Sequence, residues 1–164
     1  VNSSRHRHTT LLGLPVLALL ISVTGCSSAD DGASAVVPGA DAKVSALCRN
    51  LDEALPKKVD GLDRNDPEPR SALTAGWGSP AIILRCGVRR PSKMDDGDAL
   101  SGEVNGVGWL IEKQGDGAYR FTSSLRRAYV EVTVPAKWAR RDGSAALVDL
   151  AASVKKAIPE GIAD

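Results

Sequence analysis

The apolar run Ala75–Pro91 sets the terms on which the rest of the chain folds. Ile82, Leu84, Cys86 and Val88 alternate with Ile83, Arg85 and Gly87, the two-residue period of a strand with one thoroughly buried face and one mixed face. Trp77-Gly78 before the run and Arg89-Arg90-Pro91 after it supply the stops. A strand this apolar needs neighbours at its edges and a layer over its buried face, so the flanking sequence is read for both.

The layer is predicted from two helical stripes. Val44, Leu47, Cys48, Leu51 and Leu55 recur at helical spacing, with Asp41 as N-cap and Pro56 as the stop. Leu147, Leu150, Ala151, Val154 and Ile158 repeat the pattern, with Asp142 or Ser144 at the start and Pro159 at the end. Between them lie the neighbours. Leu73, Ala75 and Trp77 alternate and turn through Gly78-Ser79-Pro80 into the central strand. Asn105-Gly106 is a strong turn signal, and Val107, Trp109 and Ile111 alternate beyond it. Residues 118–123 and 129–134 continue as strands, the last with Val130, Val132 and Val134 inward. Residues 57–70 read as an exposed connection and 94–103 as a polar acidic loop. The expectation is an α+β domain: a mostly antiparallel sheet of about five strands, with an N-terminal and a C-terminal helix on one face.

The first residues do not belong to that domain. Arg5, His6, Arg7 and His8 precede an apolar stretch from Leu11 to Val23 that is short for a membrane span, the pattern of a secretory signal. It ends in Val23-Thr24-Gly25-Cys26, which resembles the lipobox of bacterial lipoproteins, so Cys26 is the expected lipidation site. Two or three acyl chains on one residue give stable anchoring where one does not. The predicted organisation is a lipoprotein signal peptide over 1–25, a lipidated cysteine and flexible tether over 26–40, and a single domain over 41–164.

Charge and residue inventory narrow the function. The chain has 21 Lys plus Arg and 20 Asp plus Glu, and loss of Arg5 and Arg7 with the signal leaves the mature form at a net charge of −1. Nothing in that balance attracts nucleic acid. Both histidines, His6 and His8, leave with the signal, so the mature domain has no imidazole for acid-base work, metal ligation or pH switching. With Cys26 lipidated, Cys48 and Cys86 remain as a pair, and export makes a disulfide their natural state. The two periodicities independently put both sulfurs at the same helix–sheet interface.

Three constellations bear on chemistry. Ser153 and Lys156 fit Ser-x-x-Lys, the serine–lysine spacing of penicillin-binding proteins, but the companion motifs are missing and lysines at a helix C-terminus complement its dipole. Asp95, Asp96, Asp98 and Glu103 are oxygen donors of the kind calcium takes, yet their spacing is not that of an EF-hand loop, and pairing with Arg89, Arg90 and Lys93 is the simpler reading. Glu112 and Glu131 are the only strand carboxylates available for a two-carboxylate hydrolase. The remaining candidate is the sheet face turned away from the helices. Ile83, Arg85, Tyr129, Glu131 and Thr133 are expected to look out there, with Arg85, Tyr129 and Glu131 as a binding face and a plain Arg85–Glu131 surface pair as the alternative.

Cys48 with Ala54-Leu55-Pro56 and Gly61, the block from Trp77 to Val88, Val104-Asn105-Gly106-Val107 with Trp109, and Val130-Glu131-Val132 with Val134-Pro135 together resemble an actinobacterial lipoprotein family known only as a domain of unknown function, DUF3515. The resemblance implies a lineage and an envelope location and no catalytic residue. The expected function is therefore an extracytoplasmic, membrane-anchored lipoprotein that binds or scaffolds an envelope protein or polymer, with no cofactor and no nucleic acid. A small histidine-free envelope hydrolase and a carrier of a lipid-like ligand, held in a cavity beneath the helices, are the alternatives.

Overall fold

The computed structural model describes residues 33–140 and 142–163. Cys26 and the predicted signal lie outside the described residues.

The first helix, α1 (Ala42–Ala54), begins where the sequence predicts, because the Asp41 carboxylate accepts hydrogen bonds from the Lys43 and Val44 N–H groups at 2.7 and 2.9 Å. It buries Cys48 and Leu51. The connection that follows is more ordered than its polar composition implies. Lys58–Val59 (β1) and Leu62–Asp63 (β2) pair as a hairpin around Asp60 and Gly61, both at positive φ, and Val59 is fully buried. Asp-Gly is a strong signal for a two-residue hairpin turn, but two residues on each side are too few to show alternation.

The main sheet has six antiparallel strands: β3 (Thr74–Trp77), β4 (Ile82–Cys86), β5 (Ser101–Val104), β6 (Val107–Lys113), β7 (Tyr119–Ser124) and β8 (Val130–Val134), in the order β3-β4-β8-β7-β6-β5. The apolar run β4 is thus an interior strand, as its burial demands. The strand missing from the sequence reading is β5. Ser101, Gly102 and Glu103 are exposed and carry no apolar period; tertiary pairing across Asn105-Gly106 makes them a strand.

Register assigns the faces. Leu84 opposes Val132 and Cys86 opposes Val130, so these side chains share one face with Trp77, Phe121 and Trp109. Both helices contribute to the core on that face: Cys48 and Leu51 from α1, and Leu147, Leu150, Ala151 and Val154 from α2 (Ala145–Ala157). Fully burying a leucine side chain contributes about 2 kcal/mol, so this layer supplies the bulk of the stability. Cys48 and Cys86 are joined by a disulfide with Cα atoms 5.5 Å apart. At Gly87 the backbone is at φ +85°, and a Cβ there would come within 2.7 Å of the Ala40 side chain, so the start of α1 needs a glycine to approach this closely. At α2 the Asp142 carboxylate accepts from the Ser144 N–H at 3.0 Å, while Ser144 makes no side-chain cap.

Of the expected tether over 26–40, residues 33–40 are described. Residues 33–40 lie along the domain: the Ala35 N–H donates to Glu68 O at 3.2 Å, the Glu68 N–H donates to Ala33 O at 2.8 Å, and Pro38 is buried. Small residues without a helical or strand period give no sign of this, because the segment is held largely by backbone hydrogen bonds.

Candidate functional site

On the second face, Arg85 stands opposite Glu131 and Ile83 opposite Thr133, the side of the sheet where the sequence reading puts them. It is not the open surface expected there. Glu131 and Tyr129 are buried, and Arg85 is mostly covered. The Arg85 guanidinium donates to Glu131 Oε1 at 3.0 Å and, through Nε, to Val36 O at 2.9 Å. Its geometry is that of a clasp holding the N-terminal segment to the sheet. Arg85 and Glu131 are each engaged within the chain.

Tyr129 belongs to a different feature. It lines a groove of about 490 Å³ whose wall and floor include Met94, Leu110, Ser124, Leu125 and Ile162, with Arg90 at the Tyr129 end. Tyr129 precedes β8, Ser124 ends β7, Leu110 lies in β6 and Ser101 in β5, so the groove crosses the strands on the second face. The 92–100 segment forms one wall, opening with a 3-10 helix, Ser92–Asp95, and the chain end at Gly161 and Ile162 forms the other. Leu110 is buried at the floor, whereas Leu125 and Ile162 on the rim are 75% and 77% exposed. Large apolar side chains held in water on the lip of an apolar groove mark a place where something else can cover them.

The charges around the groove are set by the basic and acidic runs. Arg90 donates to Asp95 Oδ1 at 2.7 Å and to Met94 O at 3.3 Å. The hydrogen bond to Asp95 holds the Arg90 pKa above its usual value against the opposing desolvation, with smaller help from the Tyr129 oxygen. Lys93 pairs with Asp96 and, with the Asp98 N–H, pulls the Asp96 carboxyl below its ordinary value. Asp95 and Asp96 are thus each paired with a cation, and among the described residues no cluster of three potential metal ligands occurs.

The other candidates are engaged elsewhere. Ser153 is buried and donates its hydroxyl to Ala54 O at 2.7 Å, a bond that ties α2 to the end of α1. Glu112 pairs with Arg120 at 3.3 Å; the separation suits an ion pair, but the directed hydrogen bond from this guanidinium goes to Gln114 Oε1 at 3.1 Å. Glu112 and Glu131 lie on the same face two strands apart, each with its own arginine. No helix among the described residues is long and apolar enough to cross a membrane.

The groove was not read from the sequence, although one signal was present. Trp109, Leu110 and Ile111 are consecutive and apolar, which in a strand means that both faces are covered. The rim residues Leu125 and Ile162 carry no such mark, since an apolar residue in a loop gives no orientation.

Fold and site define a disulfide-stapled α+β domain with helices on one face of its sheet and a ligand-sized groove on the other. The chain belongs to the family described as Protein of unknown function (DUF3515), whose model matches residues 9–163. No curated protein and no solved structure matches it.

Proposed function

We propose that this protein is an extracytoplasmic, lipid-anchored binding module of the cell envelope, attached to the membrane through Cys26, and that the groove between the 92–100 segment and the chain end holds the apolar part of its ligand. The basic start, the apolar run and Val23-Thr24-Gly25-Cys26 support the anchor, and the Cys48–Cys86 disulfide suits an oxidising compartment. The observation that carries the binding role is the exposure of Leu125 and Ile162 beside the buried floor residue Leu110. An elongated apolar ligand is the chemistry this surface suits, in a groove open on the second face and not in a cavity beneath the helices.

Two measurements test the reading. Cys26→Ser should move the protein from membrane to soluble fractions, and retention in the membrane fraction after signal cleavage would remove the anchor. For the groove, a photo-crosslinking residue at Leu125 should capture a product in intact cells that the same residue at Val36, equally exposed but outside the groove lining, does not. Identical capture from both sites would remove the groove from the reading. Ile162→Asp, combined with the crosslinker at Leu125, should abolish that product without unfolding the domain, since the Ile162 side chain is already in water.

A further inference from the structure

The two edges of the six-stranded sheet are treated differently. At β3 the edge is closed by the chain itself: the Asn65 N–H donates to Gly76 O at 2.7 Å, the Gly78 N–H donates to Asp63 O at 3.0 Å, and a Cβ at Gly76 would overlap the Asn65 carbonyl. At β5 the Ile111 N–H donates to Leu100 O at 2.8 Å, which makes Leu100 and Ile111 a hydrogen-bonded pair. The alternation of an antiparallel ladder then turns Leu100, Gly102 and Val104 toward β6 and the N–H and C=O groups of Ser101 and Glu103 outward. Among the described residues those outward groups have no backbone partner. An open strand edge is a template for another strand.

We infer that the β5 edge is the seam of a homodimer, in which β5 pairs antiparallel with β5 of a second copy about a two-fold axis through Gly102. The register follows from the residues. Centring on Gly102 sets Ser101 opposite Glu103 of the other copy, and Glu103 opposite its Ser101, so all the outward backbone groups of both strands are used in four hydrogen bonds. On the second face each Ser101 hydroxyl then meets a Glu103 carboxylate, whereas a register centred on Glu103 would set carboxylate against carboxylate. On the helix face Leu100, 64% exposed, meets Val104 of the other copy, and the small Gly102 pair at the centre lets the backbones close. A second exposed apolar residue lies at the same edge: Val148 of α2 is 53% exposed, and its carbonyl is 3.5 Å from Asn105 Nδ2 in the β5–β6 turn. Two of the five large exposed apolar side chains of the described residues thus border the one open edge. The seam adjoins the groove, which Ser101 also lines, but it is made by the outward backbone groups of β5 and needs no ligand in the groove.

The register can be tested by cysteine pairing in the Cys26→Ser chain, where Cys48 and Cys86 are already bonded to each other. Gly102→Cys should form a disulfide-linked dimer on mild oxidation, because residues on the axis face themselves at non-hydrogen-bonded spacing. Ser101→Cys and Glu103→Cys should each link poorly alone and link with each other when mixed. Gly115→Cys, in an exposed turn, sets the collisional background. In sedimentation, the Cys26→Ser chain should show a concentration-dependent species of twice the monomer mass. Leu100→Asp should raise its dissociation constant by at least about tenfold, since the carboxylate would face Val104 in a closed pair. Linking of Gly102→Cys no faster than that of Gly115→Cys overturns the proposal, as does a dimer indifferent to Leu100→Asp.

Discussion

The two faces of the main sheet are built on different physics. On the helix face, Trp77, Leu84, Phe121, Val130 and Val132 are sealed under α1 and α2, and the Cys48–Cys86 disulfide fixes one helix to β4. On the other, residues 33–40 are held by the Arg85 clasp, residues 92–100 carry the local Arg90–Asp95 and Lys93–Asp96 pairs, and a groove remains. Apolar burial is non-directional and scales with area, so two helices close one face completely. Ion pairs are directional and are weakened by water, so they position short segments without sealing them. The comparison teaches that one side of the sheet is closed by apolar burial while the other keeps the groove, the side to which the proposed binding role is assigned.

If that division holds, the largest loss comes from unstapling the helix face. Cys48→Ala with Cys86→Ala opens a loop of 38 residues and should cost about 4 kcal/mol, read as a lower urea midpoint in non-reducing buffer. A midpoint unchanged from the wild type would mean that the disulfide adds nothing to a face already closed. Leu150→Ala, at a fully buried position of α2, should cost about 3 kcal/mol by the same measurement, because the cavity cannot be filled from the sheet side. A smaller effect is expected from the second face. Arg85→Ala leaves the buried Glu131 carboxylate without its partner and frees the Val36 carbonyl, a loss of about 1–2 kcal/mol together with faster amide exchange at Ala35 and Glu68. A loss as large as that of Leu150→Ala would erase the distinction between the faces. The smallest change has the opposite sign. The Thr122 hydroxyl is fully buried on the second face without a hydrogen-bond partner among the described residues, so Thr122→Val should stabilise by about 1 kcal/mol, visible as a rise in Tm. A drop in Tm would show that the hydroxyl is satisfied after all.

The sequence alone determined the elements whose residues repeat with a period. Asp41 and the α1 stripe, the alternation through Ile82, Leu84 and Cys86, Val130 to Val134, and the α2 stripe each specify a local shape and a buried side, because every position along them sees the same environment. Agreement between two such stripes was enough to pair Cys48 with Cys86. Tertiary structure alone decided what lacks a period. Ser101–Glu103 became an edge strand through its partner β6, residues 33–40 became a strap through backbone contacts with residue 68, and Tyr129 went into a groove while Arg85 and Glu131 were drawn into a clasp. Alternation says which face of a sheet a residue occupies. What covers that face depends on chain segments distant in sequence, whose approach is set by packing and carries no local signature.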